Sequence, residues 1–322
     1  MRMKLYACGG AGINTVKQFA PFNGQANPGF ATIETVFIDT SRSNLDSSIP
    51  EQMTYLVQEL DGSGKRRATN HAALSESINE ILLEHRPGDI NIIVHSAGGG
   101  SGSVIGPLLT NELLGREQLV IVLAIGSTSS KIETENTKKT LQSLESISQR
   151  RSMPVCVYYR ENTLEKPRGD IDRDVSTAIS LMTAIFSGQN REFDTEDLRN
   201  FLNYPRVTSY PAKLSYLDLF AKDIDLDTKN EAIVSLITLS NGEVPTEVPQ
   251  HVEYQATGYL HEAAFKVVKQ SMPIHTAVIA GHFSKLIGRL DKRLAEFAEI
   301  RSTVHEKSIL GSASTTDDGM VL

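Results

Sequence analysis

Two periods alternate along the first half of the chain. Residues 3–8, 35–38, 90–95, 119–126 and 153–159 are short apolar runs of strand length. Between them apolar positions recur at helical spacing, as at Leu74, Ile78, Ile81 and Leu82. Helices are predicted over 13–20, 72–85 and 137–148, and from the glycine cluster near residue 100 to about residue 114. Strands alternating with helices predict a mostly parallel sheet covered on both faces. Such a sheet binds ligands at the carboxyl ends of its strands.

Beyond residue 169 the pattern changes. Val175, Ile179, Met182, Ile185 and Phe186 share one face of a helix over 170–188. Charged and proline-containing segments then prevail until a strand at 232–239, and 242–250, with two prolines, reads as a loop. Segments 265–269 and 275–279 are predicted as strands of a second, smaller sheet. Phe283, Leu286, Ile287, Leu290, Leu294, Phe297 and Val304 define a long amphipathic helix, and 308–322 is small, polar and acidic. The chain shows no internal repeat.

Composition narrows the function. A length of 322 residues favours two domains. A net charge of −7 gives no counterion-release drive toward DNA or RNA, so direct nucleic-acid binding is not expected. The longest apolar run, 119–125, is far below a membrane span, so no membrane partner is expected. The amino terminus reaches glycine too early for a signal-peptide core. Cys8 and Cys156 each lie in an apolar run and read as buried strand thiols of a reducing compartment. The eight histidines are scattered without metal-ligand spacing.

The candidate chemistry concentrates in glycine. Gly98-Gly99-Gly100-Ser101-Gly102-Ser103, with Gly106 beyond, stands where a strand hands over to a helix. Without side chains the backbone can curl until its N–H groups face an anion, and the helix adds its positive end. Five glycines in nine residues exceed what a tight turn needs. Cys8-Gly9-Gly10-Ala11-Gly12 is a second such turn. Its Gly10-x-Gly12 resembles a dinucleotide fingerprint, but residue 15 is Thr where a third Gly belongs. Asp39 ends the next strand, the place of a ribose or metal-shell acid, or of a turn cap. Gly62-Ser63-Gly64-Lys65 imitates a P-loop and fails its test, because residue 59 is Glu and residue 66 is Arg. It reads as a surface turn or as a third loop at a terminal phosphate, with Lys65 or Arg66 as counter-charge. Gly-x-Ser-x-Gly is absent, which excludes a serine-hydrolase elbow.

The loop at 98–103, after its apolar strand, resembles the signature loop of the tubulin and FtsZ superfamily. The turn from Cys8 to Asn14 is similar to that family's first phosphate loop, and Asp39-Thr40 to its second. The likeness covers essentially the whole chain and is strongest to the tubulin-like proteins of jumbo bacteriophages, whose acidic tails Asp317-Asp318-Gly319-Met320-Val321 resembles. It implies an α/β, tubulin/FtsZ-like fold: a parallel-sheet nucleotide-binding domain over 1–168, a central helix over 169–190 and a smaller α+β activation domain over 191–282. A long helix over 283–307 and the acidic tail over 308–322 complete it. GTP or GDP with Mg²⁺ is the implied cofactor, the metal held through phosphates and water and by no side chain directly.

Carried over residue by residue, the resemblance assigns the nucleotide to Gly9, Gly10, Ala11, Gly12, Asn14, Asp39 and Thr40, and to Gly98, Gly99, Gly100, Ser101, Gly102 and Ser103. Glu133 and Asn136 fall at the ribose loop; Asn162 and Asp174 fall at the guanine or ribose. A carboxylate at Asp174 suits guanine, which offers two adjacent N–H donors where adenine does not; Arg173 replaces the family's usual Asn before it. Within Glu192-Phe193-Asp194-Thr195-Glu196-Asp197, the implied catalytic acids are Asp194 and Asp197, polarising water on the next subunit's nucleotide. Glu192 stands where the family has Asn. Read without the family, Asp194 is a helix N-cap and Asp197 its capping-box partner.

Asp317, Asp318, Met320, Val321 and Leu322 are implied as a polymer contact for a basic groove. Lys285, Arg289, Lys292, Arg293 and Arg301 of the long helix offer one, or form a solvated face balanced by Glu296 and Glu299. The resemblance thus implies a self-assembling GTPase whose head-to-tail filaments position phage DNA or the replication compartment in the cytoplasm of the infected bacterial host. The residues keep two rivals. An NAD-dependent oxidoreductase explains Gly10, Gly12 and Asp39 but not the richer second loop. A filament protein with a degenerate, non-hydrolysing site is kept by Glu192 and Arg173.

Overall fold

The computed structural model describes residues 1–57, 60–163, 165–221, 232–241, 252–268 and 273–305. The first half runs β1 (Arg2–Cys8), α1 (Gly9–Val16), β2 (Thr32–Asp39), β3 (Thr54–Leu56), α2 (His71–Glu84), β4 (Ile90–Ser96), α3 (Gly102–Gly115), β5 (Val120–Ser127), α4 (Lys131–Arg151) and β6 (Val155–Asn162). The second runs α5 (Arg168–Ile185), α6 (Thr195–Leu202), β7 (Leu214–Ala221), β8 (Ala232–Ser240), β9 (Tyr254–Tyr259), α7 (Glu262–Val268), β10 (Ile274–Ala280) and α8 (His282–His305).

The apolar runs become strands buried on both faces, because helices cover both. Ile13, Val175, Ile179 and Phe201 pack on one side with α1, α5 and α6. Leu74, Leu109, Leu144 and Leu290 pack on the other with α2, α3, α4 and α8. Val175, Ile179 and Met182 are fully buried, and each contributes about 1.5–3 kcal/mol by leaving water.

The ten strands among the described residues form one sheet, in the order β3-β2-β1-β4-β5-β6-β7-β10-β8-β9. Strands β1 to β6 are mutually parallel. β1 lies between β2 and β4, so the winding reverses between β1 and β4. That reversal opens a crevice at the carboxyl ends of these two strands, where both glycine turns sit.

Three expectations change. The strands assigned to a second sheet continue the first, through a three-residue parallel pairing of β6 with β7, Val155–Val157 on Leu214–Tyr216. Segment 265–268 is helical and not a strand: α7 buries Ala264, pairs Lys266 with Glu262 one turn back at 2.8 Å and leaves Val267 exposed to solvent, so that residue has no sheet face to pack on. The first glycine turn is itself the start of α1, which begins at Gly9 and not near residue 13. Strand β7 was masked in the sequence by Asp218, whose charge Arg160 meets at 3.2 Å. The segment 242–250 and the tail residues Asp317, Asp318, Met320, Val321 and Leu322 lie outside the described residues.

Candidate functional site

Close backbone approach fixes the glycines at the crevice. A Cβ on Gly12 would stand 2.2 Å from the Val94 carbonyl oxygen, and one on Gly102 would stand 2.6 Å from that of Cys8. α1 is thereby seated on β4, and α3 on β1. Gly9 enters α1 at φ +68°, a conformation that ordinary L-residues avoid. The first turns of both helices hold N–H groups with no helical partner, so two positive helix ends flank one crevice.

The loop after β2 joins them. Asp39 is buried; one oxygen accepts from the Thr40 N–H at 2.7 Å, the other from Asn44 Nδ2 at 2.6 Å. Burial raises its pKa. Both oxygens serve its own loop, as a turn cap does, and Ser101 of the glycine loop also hydrogen-bonds the carboxylate. Asn44 in turn covers Gly10, where a Cβ would stand 2.9 Å from its Oδ1. Thr40 Oγ1 meets Ser101 Oγ at 2.6 Å, and Ser103 Oγ donates to the Gly100 carbonyl at 2.8 Å. Asn14 is exposed on α1 and Ala11 is half-buried.

The ribose candidates lie on α4 beside the same loop. Asn136 is buried, and its Nδ2 donates to the carbonyls of Lys65 at 2.8 Å, Gly99 at 3.2 Å and Gly98 at 3.3 Å. It is a clamp between the 62–67 segment and the anion loop. Glu133 accepts from Lys65 Nζ at 2.7 Å, Ser130 Oγ at 3.1 Å and Ser127 Oγ at 3.2 Å. Burial opposes its charge, but these donors hold its pKa below the usual range.

Asn162 ends β6, and its Oδ1 is buried without a protein partner among the described residues. An orphaned acceptor of this kind fits a ligand N–H or hydroxyl. Asp174 turns to the other side of α5, 4.0 Å from the Arg160 guanidinium. Asp172, two residues earlier, accepts from Thr15 Oγ1 of α1 at 2.8 Å. The sequence reading missed Asp172. Its signal was the apolar stripe of α5, whose Ile171 and Val175 mark the face turned toward α1.

Asp194 and Asp197 stand elsewhere. Asp194 caps α6: its Oδ1 accepts from the N–H groups of Glu196 at 2.7 Å and Asp197 at 3.0 Å, while Asp197 Oδ2 accepts from the Asp194 N–H at 3.0 Å. This is the capping box read from the residues. Tyr254 of β9 donates to Asp197 Oδ1 at 3.0 Å, a support the sequence did not show. Glu192 adopts φ +60°, a left-handed conformation in which Asn is at home and Glu is strained. Thr195 and Arg199 line a cavity with Arg2, Asp89, Leu119 and Met153. Those four residues open or precede β1, β4, β5 and β6, so α6 sits at the amino ends of the strands. The acids and the glycine loops are separated by the length of the sheet, roughly 23 Å for seven residues at about 3.3 Å each.

On α8, Arg289 reaches Glu161 at 2.6 Å and Arg293 reaches Glu296 at 2.7 Å. The second pair matches the balanced-face reading. No three His, Cys, Asp or Glu converge on a metal position among the described residues, and no described helix is long and apolar enough to cross a membrane.

Comparison with known proteins agrees with this geometry. Residues 2–159 match the Tubulin/FtsZ family, GTPase domain. The phage tubulin-like protein of Pseudomonas phage phiKZ is 24% identical over 225 residues, 66% of each chain. That of Pseudomonas phage PhiPA3 is 25% identical over 325 residues, spanning 100% of this chain and 99% of the other. The solved protofilament of TubZ from bacteriophage phiKZ superposes with a TM-score of 0.79 at 24% identity, covering 98% of this chain and 96% of that one. The nicotinamide-enzyme alternative finds no support among these matches. Residues 2–159 are therefore a GTPase domain of the Tubulin/FtsZ family.

Proposed function

We propose that the protein is a self-assembling GTPase whose active site is completed between two copies. One observation carries this reading: Asp194 and Asp197 stand at the amino ends of the strands, and the glycine loops stand at the carboxyl ends. Neither end holds a full catalytic set, and head-to-tail stacking brings the acids of one copy over the loops of the next. The phiKZ neighbour was solved as a protofilament.

In this reading the anion loop and the first turns of α1 and α3 bind the phosphates through backbone N–H groups. Asn162 orients the nucleoside. A bound Mg²⁺ would be carried by the nucleotide's phosphates and water with no side-chain ligand, and would supply charge neutralisation at the transferred group. Asp194 and Asp197 of the adjoining copy orient and polarise the attacking water, held rigid by the capping box and Tyr254. Residues 1–168 form the nucleotide unit and 191–282 the unit that activates its neighbour. The tail, from Asp317 to Leu322, joins subunits laterally or lengthwise. The filaments act in the cytoplasm of an infected bacterium, positioning phage DNA or the replication compartment.

GTP turnover measured against protein concentration, with sedimentation in parallel, tests this. Turnover per subunit should rise steeply above a threshold at which polymer pellets. Constant turnover per subunit without polymer would mean a self-contained site and would end the shared-site reading.

A further inference from the structure

We propose that Arg289 of α8 is a positioning residue for the nucleoside, acting through Glu161 on Asn162 at the end of β6. The inference rests on the nucleoside role given to Asn162 above and extends it to a helix that makes no part of the glycine loops.

The end of β6 is held on one edge only. Along that edge the strand pairs with β5 from Cys156 to Asn162. Along the other, pairing with β7 stops at Val157. From Tyr158 onward the two strands part around a cavity of about 590 Å³, lined by Tyr158, Arg160 and Glu161 on one side and by Tyr216 and Leu219 on the other. Backbone without a ladder on one edge is the kind that opens first.

Side chains replace the missing pairs. Successive residues of a strand point to opposite faces, so Arg160 and Glu161 leave β6 in opposite directions. Arg160 goes to β7, donating to Tyr216 Oη at 2.6 Å and to Asp218 at 3.2 Å. Glu161 goes to α8. Its Oε2 accepts from Arg289 at 2.6 Å and from Tyr159 Oη at 2.9 Å, and its Oε1 accepts from Thr128 Oγ1 at 3.2 Å. The Glu161 side chain is only 9% exposed. An enclosed carboxylate needs a counter-charge, and α8 supplies it.

Asn162 comes next in the chain. Its buried Oδ1 has no protein partner among the described residues, so the backbone of β6 decides where that oxygen stands. Arg289 itself is 61% exposed. An ion pair with so exposed a partner adds little to folding, whereas a small misplacement of a group that orients a ligand is costly. The function of the pair is therefore read in binding and not in stability. α8 also carries its own control: Asp291 meets Lys138 of α4. That second tie holds the same stretch of helix and ends on α4 instead of β6.

Equilibrium binding of GDP to the full chain, below the assembly threshold, tests the inference, with melting curves in parallel. Arg289→Ala should weaken GDP about fivefold or more, and Arg289→Lys should recover most of that loss. Glu161→Gln should match Arg289→Ala, and the double variant should bind no worse than either single one, because both act through one contact. Asp291→Ala should lower the melting temperature as much as Arg289→Ala does, yet leave GDP affinity within about twofold. An equal loss of affinity in Asp291→Ala would make Arg289 a dock for α8 and nothing more. Unchanged affinity in Arg289→Ala would disconnect α8 from the nucleoside. Either result overturns the inference. A wild-type chain that binds no GDP would instead overturn the nucleotide reading on which it rests.

Discussion

His95 shows how far a single buried group can set the behaviour of the chain. It lies in β4 with no exposed surface, under Gly106 of α3, where a Cβ would stand 2.5 Å from the ring. Burial holds its pKa at about 4, against an ordinary 6.5. The unfolded chain therefore binds a proton that the folded chain refuses. This contribution to stability is complete above pH about 6.5 and is lost as pH falls toward about 4, roughly 3 kcal/mol in all. Denaturant titrations from pH 7 to pH 4 should show that loss, and His95→Leu should flatten it. An unchanged slope in the variant would mean that carboxylates alone govern acid unfolding.

At the scale of elements, the capping duty of Asp194 on α6 and the catalytic duty proposed for it can be separated by one substitution pair. Asp194→Ala removes the N-cap and should cost about 1 kcal/mol of stability. Asp194→Asn keeps a good cap and removes the charge. Asn should therefore preserve the melting temperature while turnover falls at least tenfold; Ala should lower both. Turnover that tracks stability in both variants would leave Asp194 a structural residue only. The capping box was legible because Asp-Thr-Glu-Asp is a local code, read within one turn of helix. Strand β7 was not legible, because Asp218 becomes tolerable only once Arg160 arrives from β6. Asp172 was only half legible: the apolar stripe of α5 marks the face turned toward α1, but nothing local tells that its neighbour is Thr15, 157 positions away. Long apolar strands and glycine clusters announce themselves in sequence. Polar groups whose partners come from distant elements do not.

At the scale of the whole molecule, the two half-sites can be tested by mixing. Asp194→Asn retains the loops and lacks an acid. Gly100→Trp retains the acids and places a bulky side chain in the anion loop. Each alone should be nearly inactive. Together they should recover turnover wherever an acid-bearing Gly100→Trp copy abuts the nucleotide of an Asp194→Asn copy. A mixture as silent as its components would place all the chemistry within one chain.

The distance between acids and glycine loops also makes the two ends of any assembly chemically unlike. With sites completed between copies as proposed, an open row contains one fewer completed site than it has members. The copy whose loops face outward keeps its triphosphate intact, because nothing lies over it, while the copy at the far end presents bare acids to solvent. Growth at the first end buries a fresh triphosphate and starts its clock; growth at the second brings a new nucleotide to acids already waiting. Direction, age and a protected tip thus follow from where one short helix sits on a sheet.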